Sequence, residues 1–313
     1  MTLVIGTDEA GYGPNLGPLV VVATAWRVDA APAAAPAAVA AALEAVNAGR
    51  GPLWADSKAI YRGGAGFAAL ERGALVGTAL ATQGVPGCWS DLAAALALAA
   101  DADAAGPEAE RRAAARLPVA NAAAACRGLA EGVAATLAGH RVTLLAIRGR
   151  VIQPADFNRR LDAGLNKSDI LSEATLALAA ALAGGGGEPV LVWCDRHGGR
   201  RRYAGLLSRH FAAPLVRVVA EGADASAYDI PAAGCRVEFT VGGESRMPVA
   251  LASMTAKYLR ELSMQAFNAH WSAVAGDLAP TAGYPVDAAR WRRQAAAAVA
   301  AAAIPWDRLW RRA

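Results

Sequence analysis

The apolar run Leu3-Val4-Ile5 leads directly into Gly6-Thr7-Asp8-Glu9-Ala10-Gly11-Tyr12-Gly13-Pro14. The apolar residues read as a buried strand, which delivers two adjacent carboxylates beside a glycine-rich turn. Burying one carboxylate among apolar groups costs on the order of several kcal/mol unless a cation or a set of hydrogen bonds compensates. Taken alone, an Asp–Glu pair reads most simply as a solvated turn. A divalent cation is the alternative.

The chain has 313 residues, enough for one large domain with an insertion. Hydrophobic residues make up 55%, but alanine inflates that figure, and no unbroken apolar run is long enough to span a bilayer. The N-terminus enters a strand without the basic and apolar segments of a signal peptide, so a cytoplasmic location with no membrane association is expected. Cys88, Cys126, Cys194 and Cys235 show no C-x-x-C spacing, which predicts reduced, mostly buried thiols rather than a zinc site. The net charge of +4 permits an anionic partner without requiring one. Arginines cluster at 200–202, 290–293 and 308–312, either as solvated helix faces or as a phosphate-binding surface.

Residues 17–28 predict a second strand, antiparallel to the first across the glycine–proline turn. A helix follows to about Asn47, then a loop over 52–58. Between 82 and 140 the composition is alanine-rich with scattered charges, which predicts a helical insertion. Residues 142–151 return to strand character. Residues 166–183 read as a helix capped by Asn166 or Ser168 and ended by glycines at 184–187. The next strand, Val190-Leu191-Val192-Trp193-Cys194-Asp195, carries an acid at its carboxyl end, a layout typical of α/β sites. Further strands are expected at 215–219 and 236–241, and a long helix at 248–269 with Pro248 in its first turn. A helical C-terminal extension is expected over 270–313.

On the helix from Pro248, Ser253, Lys257 and Glu261 are spaced i, i+4, i+8 and share one stripe. Leu251, Met254, Tyr258, Leu262 and Gln265 line a neighbouring, mostly apolar face. The stripe is either solvated, with a Lys–Glu pair, or part of a site. Asp8, Glu9 and Asp195 at strand ends and Glu261 on a packed helix would repel one another if they converged, and would coexist as anions only around cations. Oxygen-only donors favour Mg²⁺ or Mn²⁺. Two such ions ~4 Å apart would serve phosphodiester hydrolysis, with Lys58 and Lys257 placed to hold phosphates.

The run DEAGYGPNLGPLVV resembles the signature that opens the type 2 and type 3 ribonucleases H, the ribonuclease HII/HIII family. ADSK at 55–58 resembles that family's DSK motif, and NKSDILSEATLALAAAL its helix before the third acidic strand, for which VLVWCD is the counterpart. ALASMTAKYLRE at 250–261 resembles its A-S-x-x-A-K-x-x-R-D/E run, and GYPVDAARW and IPWDRLWRR are similar to its C-terminal ends. The resemblance covers most of 1–80 and 142–312. It implies a single α/β domain with the ribonuclease H-like fold, a mixed central sheet flanked by helices. It implies Asp8, Glu9, Asp195 and Glu261 as catalytic metal ligands for a two-metal site of Mg²⁺ or Mn²⁺. Gly11, Tyr12, Gly13, Ser57, Lys58, Ser253 and Lys257 then fall at nucleic-acid contacts or support the site's geometry, and Arg196 and Arg200 suit phosphates near the metals.

The implied activity is endonucleolytic hydrolysis of RNA in an RNA–DNA hybrid, or at ribonucleotides embedded in DNA, leaving a 3′-OH and a 5′-phosphate. A monomer without an obligatory protein partner is expected. The chain departs from the family pattern at Tyr12, where type 2 members carry a basic residue, and at Glu261, where they carry Asp. Tyr12 either stacks on a sugar or base or packs in the core. His197 is either a proton shuttle or a loop residue without a role. A nucleic-acid-binding protein with weak or no catalysis, and a nuclease acting on DNA structures, are the alternative functions.

Overall fold

The computed structural model describes residues 1–48, 51–56, 60, 66–98, 107–184 and 187–312. The expected Ser57 and Lys58 contacts lie outside the described residues. Seven strands form one mixed sheet in the order β3-β2-β1-β4-β7-β6-β5. They are β1 (Thr2–Ala10), β2 (Leu19–Val28), β3 (Val142–Ile152), β4 (Val190–Asp195), β5 (Arg217–Glu221), β6 (Ala225–Ile230) and β7 (Cys235–Thr240). β1 pairs antiparallel with β2, and β2 with β3. On its other side β1 runs parallel to β4, and β4 runs parallel to β7. The carboxyl ends of β1, β4 and β7 therefore open on the same edge of the sheet.

Helices cover both faces, so β1 is apolar on both sides. On one face Val4, Val20, Val22, Trp26, Leu191 and Trp193 meet a layer of helices: α1 (Ala35–Asn47), α2 (Gly66–Thr82), α5 (Ala123–Gly139) and the long α9 (Met247–Ala275). On the other, Leu3, Ile5, Val192 and Cys194 pack against α7 (Lys167–Ala183) and α8 (Ala204–His210). Asn166 caps α7 in a reciprocal box with Asp169, as its position predicts. Gly6 is where α9 crosses β1: a Cβ there would overlap the backbone of Pro248 and Val249.

The described residues between 82 and 140 hold α3 (Trp89–Ala95), α4 (Pro107–Ala113) and α5. They are tied to the core by a fully buried carboxylate. Glu71 of α2 accepts from the backbone N–H groups of Val119 (2.6 Å), Ala120 (2.7 Å) and Asn121 (2.8 Å), from the Asn121 side chain (2.9 Å) and from the Tyr258 hydroxyl on α9 (3.0 Å). α6 (Pro154–Asp162) packs Phe157 against Leu19, Val21 and Ile170, on the side of α7, and α10 (Pro285–Ala301) follows α9. The tryptophans Trp271 and Trp291 join α10 to the distal half of α9.

The differences from expectation are local. β6 is a strand that the sequence pattern did not reveal, because Ala-Ser-Ala carries little strand signal. α9 continues through residue 270, where the C-terminal extension was expected to begin, because His270 and Trp271 are buried and keep its inner face apolar. After α10 the chain leaves helical structure apart from a short turn at Trp306–Arg308. All four cysteines are free, three of them buried. No helix among the described residues is long and apolar enough to cross a membrane.

Glu71→Ala strands five donors in a buried site, and chemical denaturation is expected to show a loss of about 3 kcal/mol. Burial pushes the Glu108 carboxyl up to about 7, against the opposing pull of its hydrogen bond from Trp271 and of Arg112. The fold thus favours the protonated form. Its contribution is complete below the unfolded carboxyl's value and is lost as pH rises through about 7. Between pH 5 and 8 the wild type is expected to lose about 2 kcal/mol that Glu108→Gln does not lose, read as the difference in their melting temperatures.

Candidate active site

The parallel strands bring acids together where they end. Asp8 lies near the end of β1, 5% exposed, its Oδ1 accepting from the Glu9 backbone N–H at 2.7 Å. Asp195 is the last residue of β4, and its Oδ1 accepts from the Gly243 N–H at 3.0 Å. Gly243 and Glu244 follow β7, the third parallel strand, in a short 3-10 turn. Glu244 is buried, and the Ser253 hydroxyl of α9 donates to its Oε1 at 2.6 Å. Burial raises the Asp8 pKa well above the usual carboxylate range, and the charges of Glu9, Asp195 and Glu244 push it further; a hydrogen bond from Ser253 works the other way.

Three of the four acids expected from the sequence thus share a field, and the fourth member is Glu244. Glu261 shares a helix stripe with Ser253, but it lies eight residues on, about 12 Å further along the axis. Its Oε1 is 3.9 Å from an Arg260 guanidinium nitrogen. A stripe specifies direction and not level, and the strand ends lie at the level of Ser253. Glu244 carried the same signal as Asp8 and Glu9, a carboxylate beside glycines (Gly242-Gly243) just after a strand of alternating pattern. The solvated-stripe alternative does not hold for Ser253, which is buried; Lys257 and Glu261 are half-buried.

The donor set is entirely oxygen, and the buried, repelled Asp8 requires a proton or a cation beside it. Among the described residues no three His, Cys, Asp or Glu side chains are already grouped closely enough to hold an ion. The acids share a field rather than a cage. The residue types and the burial fit a hard divalent cation; zinc-type donors do not enter the cluster, since burial pushes the Cys194 thiol up to about 12.

Beside the acids, Gly11 adopts a φ of +84°, and a Cβ there would collide with Pro18 and Arg260. The turn is held from below by Arg311, 1% exposed, whose Nη2 donates to the carbonyls of Gly11 (2.6 Å) and Pro14. The backbone N–H of Arg311 donates to the Asn15 carbonyl at 2.7 Å, so the C-terminal segment straps the turn. Sequence patterning did not single out Arg311 from its cluster. Gly13 is exposed, and Tyr12 is half-buried against an apolar group including Leu19, Val21, Phe157 and Ile170.

Arg196 and Arg200 stand at the site's edge, with their donors directed at the protein. Arg196 bonds the carbonyls of Arg200 (2.9 Å), Gly222 (3.1 Å) and Ala223, while Arg200 bonds Ser168 (2.9 Å) and pairs with Asp169. They fix the loop after β4 rather than extend from it. His197 is buried, bonded to Ser172 through Nδ1 at 2.9 Å and packed edge-on to Tyr203 and Phe239. Burial, with Arg200 nearby, lowers its pKa to about 3. It is a neutral core residue, which rules out a proton shuttle at neutral pH.

Several solved structures are similar to this chain. A ribonuclease HII of Archaeoglobus fulgidus, solved as a complex with PCNA, is 15% identical, with a TM-score of 0.46 over 99% of this chain and 94% of that one. The ribonuclease H2 of Pyrococcus horikoshii OT3 is 16% identical, with a TM-score of 0.42 over 98% and 92%. A Bst-RNase HIII in complex with Mn²⁺ is 17% identical, with a TM-score of 0.42 over 99% and 66%. No protein-family model matches the chain. No curated protein matches it.

The crowded acids destabilise the cation-free protein, so Asp8→Asn is expected to raise its melting temperature by about 2–5 °C in EDTA. Mn²⁺ should raise the melting temperature of the wild type and of Glu261→Gln, and do so far less in Asp8→Asn and Glu244→Gln. A response kept by Glu244→Gln and lost by Glu261→Gln would restore Glu261 as the fourth acid.

Proposed function

We propose that the protein is a divalent-metal-dependent endonuclease that hydrolyses the RNA strand of RNA–DNA hybrids, or ribonucleotides embedded in DNA, leaving a 3′-OH and a 5′-phosphate. The observation that carries this reading is the gathering of Asp8, Glu9, Asp195 and Glu244 where three parallel strands end, with the most buried of them held far from its ordinary ionisation. Such crowding has no use in a protein that only binds nucleic acid. The ordered motifs around the acids, from DEAGYG to ASMTAK, support a ribonuclease H of type 2 or type 3.

In this reading the four carboxylates hold Mg²⁺ or Mn²⁺, which would supply an acidified water and stabilise the leaving oxygen. Ser253 orients Glu244 through its short hydrogen bond. The Gly11-Tyr12-Gly13 turn presents main chain to the phosphodiester, and Arg311 keeps that turn in place. Lys257, one helical turn beyond Ser253, stands on the same stripe as the cluster.

The test uses three labelled substrates with Mg²⁺ or Mn²⁺: a hybrid, a duplex carrying one ribonucleotide and an all-DNA duplex. Cleavage of either ribonucleotide-containing substrate, reduced about 100-fold in Asp8→Asn and Glu244→Gln, is the expected outcome. Binding without cleavage would turn the reading to a binding protein. Cleavage of the all-DNA duplex alone would turn it to a nuclease of DNA structures. Equal rates for Asp8→Asn and wild type would remove the metal assignment.

A further inference from the structure

The glycine turn has a second electrostatic imbalance, opposite in sign to that of the acids. Lys167, the first residue of α7, lays its ammonium over the ring of Tyr12, 4.7 Å from the centroid. Arg311 lies beneath the same turn, and its charge, after burial, lowers the Lys167 pKa. Arg260 approaches Gly11 from α9 and in turn opposes the charge of Arg311. Arg311 uses Nη2 on two carbonyls, while its buried Nε and Nη1 have no hydrogen-bond partner among the described residues. Among those residues no carboxylate lies within ion-pair distance of Lys167 or Arg311. Arg260 has Glu261 beside it, and Glu9 and Asp169 act on Tyr12 from a distance, so the charge left without an acid at contact is that of Lys167 and Arg311; of these Lys167 reaches solvent, where an anion would neutralise it.

We propose that Lys167, steered by the face of Tyr12, is a binding residue for a backbone phosphate of the nucleic acid as the strand crosses the glycine turn beside the acid cluster. Lys167 is half-buried and reaches solvent; Arg311 is enclosed and acts by holding the turn and biasing its field. Tyr12 restrains the ammonium by a cation–π contact, so the lysine is pre-positioned rather than free to sweep the surface. This inference rests on the nuclease reading for its ligand.

Anisotropy titration of a labelled RNA–DNA hybrid and a labelled DNA duplex, without divalent ion and at several salt concentrations, tests it. Lys167→Met should weaken binding of both about tenfold and flatten the log–log salt dependence by about one. Lys167→Arg should restore the slope, and the melting temperature of Lys167→Met should stay near that of the wild type. A wild-type slope in Lys167→Met would overturn the phosphate contact while leaving the nuclease reading intact. A loss confined to the hybrid would overturn it in favour of a ribose contact. No binding of either duplex by the wild type would remove the nuclease reading itself, and with it this ligand.

Discussion

Gly6 has no side chain, and that absence allows α9 to lie directly on β1. The consequence runs the length of the site. With Pro248 seated at Gly6, Ser253 falls at the level of Asp8 and Glu244, and Arg260 falls beneath Gly11. A single methyl group at position 6 would force the helix off the strand, and the acids and the turn would lose their common support.

The site built on this contact is electrically divided. Carboxylates gather at the ends of three parallel strands, and cations gather around the turn that follows the first. Each half is unfavourable alone: Asp8 is held toward its neutral form, and Arg311 is held well below its usual range, at about 9. Under the proposed function, a phosphodiester with divalent cations would carry the complementary pattern. The cost is borne by the rest of the fold, where Glu71 and the tryptophans around α9 hold the elements in place.

The arginines illustrate how composition can mislead. Arg196 and Arg200 lie beside Asp195, where free guanidinium groups would suit phosphate, yet both are committed to loop carbonyls and to the start of α7. Arg311, one of a terminal cluster that reads as a solvated face, is instead almost fully enclosed. Lys167 is an ordinary helix-start residue by its position in the chain, yet its ammonium lies over the ring of Tyr12. Charge type is visible in a chain, but the partner that consumes or exposes a charge is not.

The chain by itself determined the elements whose signals are local. The strands that carry the acids, the capped helix at 166–183 and the long helix begun by Pro248 follow from periodicity, capping and turn residues acting within one or two turns. It also placed Asp8, Glu9 and Asp195 at or near strand ends, because an apolar run leads into each. Only the tertiary structure brings Glu244 rather than Glu261 to the level of Asp8, since Ser253, bonded to Glu244, lies two turns before Glu261 on α9. It alone decided that Tyr12 carries Lys167 and that Arg311 supports the turn, contacts between residues 155 and 300 positions apart. The reason is physical: side-chain periodicity fixes which face a residue occupies, whereas the packing of α9 on Gly6 and the parallel pairing of β1, β4 and β7 fix where along that face it meets its partners.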